Sequence, residues 1–210
     1  MTTKRAPFIV VEGLDRSGKT TQTSLLQARL EKENVPNRLA QISRYTQYLK
    51  STSELDDHVI HLLFSANRWE LAYVWTVIAD RYAFSGIAFS ASKVEVSDAT
   101  VPKLPFEWCR APDIGLPAPD AVLFLDIAPE QARLRGGYGD ERYEKEEMQA
   151  RVRQAFKRIG EEAEEGSLWV VVDAGRERDV VAEEMWGSVE ALVQGGLTAP
   201  VGRLWKDRIL

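Results

Sequence analysis

The 210-residue sequence has one cysteine, Cys109, and two histidines, His58 and His61. An intrachain disulfide is thereby excluded, as is a zinc site built on several thiolates, and a reducing compartment is expected: the cytoplasm, with the nucleus also open. Long apolar runs are also missing. The longest, such as Ala121 to Leu125, are far too short to cross a bilayer, and the apolar stretch Phe8 to Val11 breaks at Glu12 before it could act as a secretory core. Neither a membrane partner nor export is expected. An excess of positive charge is absent too: 27 Lys and Arg stand against 32 Asp and Glu, a net charge of −5, the wrong sign for general affinity to a nucleic-acid backbone. Any phosphate must be bound by a local pocket. There is no internal repeat, no low-complexity tract and no Pro- or Gly-rich linker, so residues 1–210 read as a single domain with ample chain for a hydrophobic core.

What is present is a succession of short, wholly apolar segments separated by helical patterns. Phe8 to Val11 is apolar on both faces, and Arg38 to Ile42, Val74 to Ala79, Ala121 to Ile127 and Leu168 to Val172 read similarly as strands. Strands buried on both faces predict a parallel sheet covered by helices, hence a doubly wound α/β fold. A helix is predicted after Gly13 through Leu30, another over His58 to Ala72, and a charged one over Glu141 to Glu164. In the last, Glu141–Lys145 and Glu147–Arg151 have i,i+4 spacing, and most charges are expected on a solvated face. Ser92 to Pro119 holds five of the nine prolines and reads as an irregular surface excursion with a short helix near Phe106 to Cys109. Two joins look too abrupt. A helix to Ala72 followed by a strand from Tyr73 or Val74 leaves no residues to reverse the chain, and Ile42 to Tyr45 is nearly as tight, so residues are expected to be missing at both places.

The strongest motif is Gly13-Leu14-Asp15-Arg16-Ser17-Gly18-Lys19-Thr20, which matches G-x-x-x-x-G-K-[ST] between a buried strand and a helix. The glycines let successive N–H groups turn inward onto phosphate oxygens, the helix N-terminus adds its dipole, Lys19 adds a cation, and Thr20 offers a hydroxyl to Mg²⁺. Asp15 is out of place against anionic phosphate and suits a sugar hydroxyl on a second substrate. Arg16 either neutralises the transferring phosphoryl group as an arginine finger in cis or is an exposed charge. Asp80 and Arg81 lie at the carboxyl end of a strand, where open α/β sheets place ligands. They read as a metal-side carboxylate and a phosphate-binding arginine, or as an ordinary strand-end ion pair. His58 and His61, one helical turn apart, could hold a metal but lack further ligands, and a packing role is expected of them and of Cys109.

With these pieces in view, the sequence closely resembles the thymidylate kinase family, in its eukaryotic form. The resemblance is carried by the Asp-Arg pair in the phosphate loop, the stretch Asp57 to Glu70, Asp80 to Gly86, Pro112-Asp113-Ile114-Gly115-Leu116-Pro117, and Gly139-Asp140-Glu141-Arg142-Tyr143-Glu144. It spans residues 8 to about 175. It implies a P-loop kinase fold with a five-stranded parallel sheet, a short lid at about 133–144, and a homodimer. It implies transfer of the γ-phosphoryl group of ATP to dTMP, with Mg²⁺. ATP would be held by Gly13, Arg16, Ser17, Gly18, Lys19, Thr20 and Thr21, with Arg135 against the adenine. On the dTMP side, Phe64 would stack on thymine and Arg68 bond its carbonyl edge. Ser85, Gly86 and Phe89 would complete the base site, Arg81 hold the 5′ phosphate, Asp15 the 3′ hydroxyl, and Tyr143 with Gln149 close over the sugar. Lys19, Arg16, Asp15 and Arg81 would be catalytic, and Thr20 with Asp80 would serve the metal. The bare Gly136 to Gly139 in the lid matches the subclass whose catalytic arginine sits in the phosphate loop. One departure stands out: the family's Phe-Pro-acidic-Arg motif after the second strand has no counterpart near Ile42-Ser43, and its role is not transferred to Arg44.

Two other readings of the loop stay open at this level. One is a kinase for another pyrimidine nucleotide or a deoxynucleoside. The other is a GTP-dependent switch, against which stands the lack of Asn-Lys-x-Asp and the fact that the only Asp-x-x-Gly, Asp15 to Gly18, lies inside the loop.

Overall fold

The computed structural model describes residues 4–35, 37–41, 55–72, 78–135, 145–163 and 168–206. Its centre is strand β1 (Ile9–Gly13), buried at every position, as a β-branched run apolar on both faces requires. β1 pairs in parallel with β3 (Ile78–Asp80) on one side and β4 (Ala121–Asp126) on the other. The sheet is completed by β2 (Leu39–Gln41) beside β3 and β5 (Leu168–Asp173) beside β4, all parallel, in the order β2-β3-β1-β4-β5. The strand order therefore changes direction at β1, and the crevice beyond its carboxyl end is where a doubly wound sheet takes its ligand.

Helix α1 (Lys19–Lys32) follows β1 and packs with α7 (Arg178–Gly195). Helix α2 (Asp57–Leu71) is capped by the Asp56 side chain, which accepts from the His58 amide. It lies against α3 (Ala83–Ala91), which also meets the short α4 (Phe106–Arg110) and the long α6 (Glu146–Glu161). A short α5 (Pro129–Arg133) precedes the lid stretch. The core runs from Phe8, just before β1, and Ile9 and Val10 on it through Ile87 on α3, Leu123 and Phe124 on β4 and Phe156 on α6. Among the described residues no helix is long and apolar enough to cross a membrane.

The strand predicted from Val74 is described only over Ile78–Asp80, and residues 73–77 lie outside the described residues. So do the Ile42-Ser43 join and the far side of the Ala72-Tyr73 join. One expectation changes: the excursion over Ser92 to Pro119 is not all surface, since Leu104, Cys109, Asp113 and Leu116 are fully buried, although Pro105, Glu107 and Ala111 stay exposed. In α6 Glu147, Lys157, Arg158 and Glu161 are exposed and no charged side chain is buried, as expected of a solvated face, while Arg151 donates to the Ser92 carbonyl at 2.9 Å and Arg153 grips Asp126 at the end of β4 through two bonds of 2.6 and 2.7 Å. Glu141 lies outside the described residues.

Candidate active site

The loop between β1 and α1 has the backbone its glycines predict. Gly13 (φ 152°) and Gly18 (φ 90°) both lie at positive φ. A Cβ on Gly13 would stand 2.6 Å from the Leu125 carbonyl oxygen and 2.8 Å from Ser17 Oγ, so no larger residue fits. Arg16, at φ 60°, holds the same left-handed geometry without being glycine, a local strain expected where a loop is shaped for function. The first turn of α1 carries no acidic side chain, so its N-terminal dipole faces the loop unopposed. Lys19 is buried and donates to the Leu14 carbonyl at 2.5 Å and to Ser17 Oγ at 3.4 Å. Burial, then the neighbouring Arg81, pushes its ammonium down to about 7.

β3 delivers the next two residues. Asp80 at its end receives a hydrogen bond from Thr20 Oγ1 at 3.3 Å, bringing a carboxylate and a hydroxyl together at the mouth of the loop. Arg81 (φ 70°) turns back over the loop: Nη1 donates to the Gly13 carbonyl at 3.1 Å and to Ser85 Oγ at 3.2 Å, Nη2 pairs with Asp15 Oδ1, and the guanidinium lies 5.0 Å over the Phe89 ring. Asp15 is shared further. Its Oδ2 accepts from Gln149 Nε2 at 2.8 Å while its amide donates to Gln149 Oε1 at 3.1 Å, a reciprocal pair that ties α6 to the phosphate loop.

Beneath Arg81 lies a residue that motif reading passed over. Glu12, fully buried at the penultimate position of β1, accepts from the Tyr82 and Ser85 amides at 2.9 and 3.0 Å and from Ser85 Oγ at 2.5 Å. Burial pushes its carboxyl above the usual range, while Ser85, Arg81 and the two amides pull it back. The Ser85 hydrogen points at Glu12, so its oxygen lone pairs are turned toward Arg81. The signal was available as an acid inside an apolar strand directly before a phosphate loop.

The base-site residues come from two facing helices. Phe64 and Arg68 are one turn apart on α2; Ser85 and Phe89 are one turn apart on α3. Phe64 and Phe89 are half-buried, whereas Arg68 is buried and forms a side-on pair with Asp113, Nε to Oδ1 at 3.1 Å and Nη2 to Oδ2 at 2.6 Å. Gly86 lets the guanidinium lie close, since a Cβ there would stand 2.8 to 3.0 Å from its terminal atoms. Arg135 fastens the far side of the phosphate loop, donating to the carbonyls of Arg16 at 2.7 Å and Ala174 at 2.5 Å. Thr21 is exposed in the first turn of α1; Tyr143 and Gly136 to Gly139 lie outside the described residues. The histidine pair is no ligand cluster: His61 is buried between Ser90 Oγ and the Cys109 carbonyl, each at 2.8 Å, and exposed His58 pairs with Asp56. No group of three or more potential metal ligands occurs among the described His, Cys, Asp and Glu residues. Burial pushes the Cys109 thiol up to about 12, which leaves it unreactive.

Comparison with known proteins gives a consistent picture. Residues 11–185 match the family model described as thymidylate kinase. The chain is 49% identical over 187 residues to thymidylate kinase of Schizosaccharomyces pombe, covering 81% of this chain and 85% of that one. It is 37% identical over 222 aligned positions to the human thymidylate kinase, covering 98% and 100%. A solved structure of thymidylate kinase from Candida albicans superposes with a TM-score of 0.81 at 34% identity, covering 96% of this chain and 99% of that one.

Proposed function

The chain belongs to the thymidylate kinase family and transfers the γ-phosphoryl group of ATP to dTMP, giving dTDP and ADP in dTTP synthesis; from that premise we propose how its residues divide the work. The observation that carries the assignment is the reach of Arg81 from the end of β3 to the Gly13 carbonyl and to Asp15, which puts an acceptor-side cation and the donor-phosphate loop in one hydrogen-bonded network. Lys19 and the loop amides hold the β- and γ-phosphates, and Arg16 meets charge on the transferring group. Arg81 holds the 5′ phosphate of dTMP. An acceptor phosphate is ionised at neutral pH, so positioning and charge neutralisation do the catalysis and no general base is required.

Asp15 and Gln149, already joined, line the sugar side; Phe64, Phe89, Ser85, Gly86 and Arg68 form the base side. The two terminal nitrogens of Arg135 are held by backbone carbonyls, which leaves its planar face for the adenine. Thr20 and Asp80 supply the hard oxygen donors that fit Mg²⁺. Bound there with ATP, the ion would neutralise phosphate charge. The lid at 133–144 is assigned to water exclusion. A homodimer is supported by the outward face of α2, where Val59 and Leu62 are 45% and 46% exposed in line with exposed Ala66, and by Leu55, 40% exposed just before the helix. Family membership removes the GTP switch from consideration.

Coupled measurement of ADP release tests the division of labour. Lys19→Ala should lower kcat by about 10²–10³-fold, the usual loss for one preorganised charge donor. Arg16→Gly should cost about 10³-fold or more if it is the finger in cis. Both should leave dTMP affinity near that of the wild type. Turnover of Arg16→Gly close to wild type would remove Arg16 from the catalytic set.

A further inference from the structure

Arg68 reads the pyrimidine only if its guanidinium is held in one plane, and a long side chain does not hold itself there without loss of rotamer freedom. In this structure a carboxylate with no solvent contact does so. Asp113 ends the 3₁₀ turn Ala111–Asp113 and is fully buried. Its Oδ1 accepts from Arg68 Nε at 3.1 Å and Ser65 Oγ at 2.7 Å, and its Oδ2 from Arg68 Nη2 at 2.6 Å. Two bonds to one edge fix both the direction and the plane of the guanidinium, and leave Nη1 as the corner Asp113 does not use. Gly86 closes the other side at contact distance.

Asp113 itself sits on a loop outside the sheet, so something must hold the loop. Trp69 Nε1 bonds the Pro112 carbonyl at 2.7 Å and Tyr82 Oη the Pro117 carbonyl at 3.1 Å. The larger part is backbone pairing with segment 202–205: Gly115 N to Leu204 O at 2.8 Å, Leu204 N to Leu116 O at 2.8 Å, and Ala118 N to Gly202 O at 2.9 Å. Arg203 Nη1 adds a bond to the Gly115 carbonyl at 3.1 Å. Leu204 and Trp205 are 4% and 6% exposed, and Trp205 meets the Phe84 ring edge-on at 5.8 Å, two residues from Gly86. One short strap thus touches both the loop that carries Asp113 and the helix α3 that carries Gly86.

We propose that Asp113 is the positioning residue for base recognition, acting through Arg68, and that segment 202–205 is the strap that keeps it in place. The proposal rests on the reading of Arg68 as the group that meets the thymine carbonyl. A cytosine ring presents an amino group where thymine presents a carbonyl, so an arginine fixed as a donor favours dTMP over dCMP, and loosening it erodes that preference.

Steady-state kinetics on five variants, one of them a double, test this, each checked for folding by circular dichroism. Asp113→Asn, the same shape without the charge, should raise KM for dTMP at least tenfold and narrow the dTMP-over-dCMP ratio of kcat/KM. Its KM for ATP should stay within twofold and its kcat within about threefold of wild type. Leu204→Pro, which deletes one strap hydrogen bond, should shift the same two quantities in the same direction. Ser65→Ala, which removes a donor to Asp113 without touching Arg68, gives a smaller shift of the same kind and serves if either of the others fails to fold. In an Arg68→Met background, Asp113→Asn should add nothing, because the two act as one unit. Additive effects, or an Asp113→Asn enzyme whose dTMP KM and base preference match wild type, would overturn the proposal while leaving Arg68 in its role. An Arg68→Met enzyme with unchanged dTMP KM would instead overturn the reading of Arg68 on which it rests.

Discussion

Two cationic side chains, Lys19 and Arg81, meet at the end of β1, and two acids, Asp15 and Glu12, decide how they are used. The depressed ammonium of Lys19 has a consequence for binding. Free of phosphate its proton is half lost near pH 7, whereas adjacent polyphosphate favours the charged form, so nucleotide binding at pH 8 should take up a proton. Calorimetry with MgATP in buffers of different ionisation enthalpy should show that uptake in the wild type and not in Lys19→Met. The sign for folding is related: the unfolded lysine titrates near 10.5, so between about 7 and 10.5 the unfolded chain binds more protons, and this residue adds stability as pH rises through that window. Glu12 makes a different prediction. Glu12→Gln keeps an acceptor for the two amides but presents an N–H donor to Ser85 Oγ, in competition with Arg81. Affinity for dTMP should fall about tenfold while affinity for ATP holds, and an unchanged dTMP KM would show that Arg81 needs no such support. Motif reading found Asp15, Arg16, Lys19 and Arg81 because each sits at a fixed offset from a glycine or a strand end. It passed over Glu12, whose partners are backbone amides more than 65 residues away in the chain, since a lone acid in an apolar run announces only an interruption.

Helices α2 and α3 cross closely because small residues allow it, and the site depends on that approach. Gly86→Ala would drive a methyl to within 2.8–3.0 Å of the Arg68 guanidinium. Breaking the buried Arg68–Asp113 pair outright would cost about 3–5 kcal/mol, so the substitution should displace the arginine and lower both stability and dTMP affinity, measurable by urea unfolding and by KM. His61, also on α2, reports on the same packing. Its Nε2 donates to the Cys109 carbonyl and its Nδ1 accepts from Ser90, an arrangement that holds the ring neutral, with burial keeping its pKa below the usual 6.5. The unfolded chain therefore binds more protons just below pH 6.5, and stability present above that pH should fall on acidification through it. Urea midpoints at pH 7.5 and 5.5 should differ more for wild type than for His61→Gln. The elements themselves were largely legible, since fully apolar strands and a 3.6-residue period leave little choice.

For the whole molecule, the parallel sheet brings the ends of β1, β3 and β4 to one edge, and loops from distant parts of the chain assemble there. The order of the strands was not written in any one of them; the fold class was, through the apolar runs of β1 and β4, buried on both faces, whereas β5 at the edge leaves Leu168 and Val171 exposed. The base site assigned to Phe64, Arg68, Ser85 and Phe89 rests on resemblance, since they have no local spacing that specifies a pyrimidine, and Asp113 meets Arg68 from a loop that pairs with the chain near residue 204. The outward apolar face of α2 predicts a dimer through that helix. Analytical ultracentrifugation should give twice the chain mass for wild type and the single mass for Leu62→Glu, whereas a wild-type chain sedimenting as a monomer would remove the dimer. The missing Phe-Pro-acidic-Arg motif leaves Arg81 as the cation assigned to the acceptor phosphate, which makes turnover the decisive quantity. The most direct measurement is ADP release from MgATP by the purified chain across a panel of dTMP, dUMP, dCMP and thymidine. The account predicts release that depends on the acceptor and is fastest with dTMP. A folded protein that binds ATP yet releases ADP at the same rate with and without dTMP would contradict it.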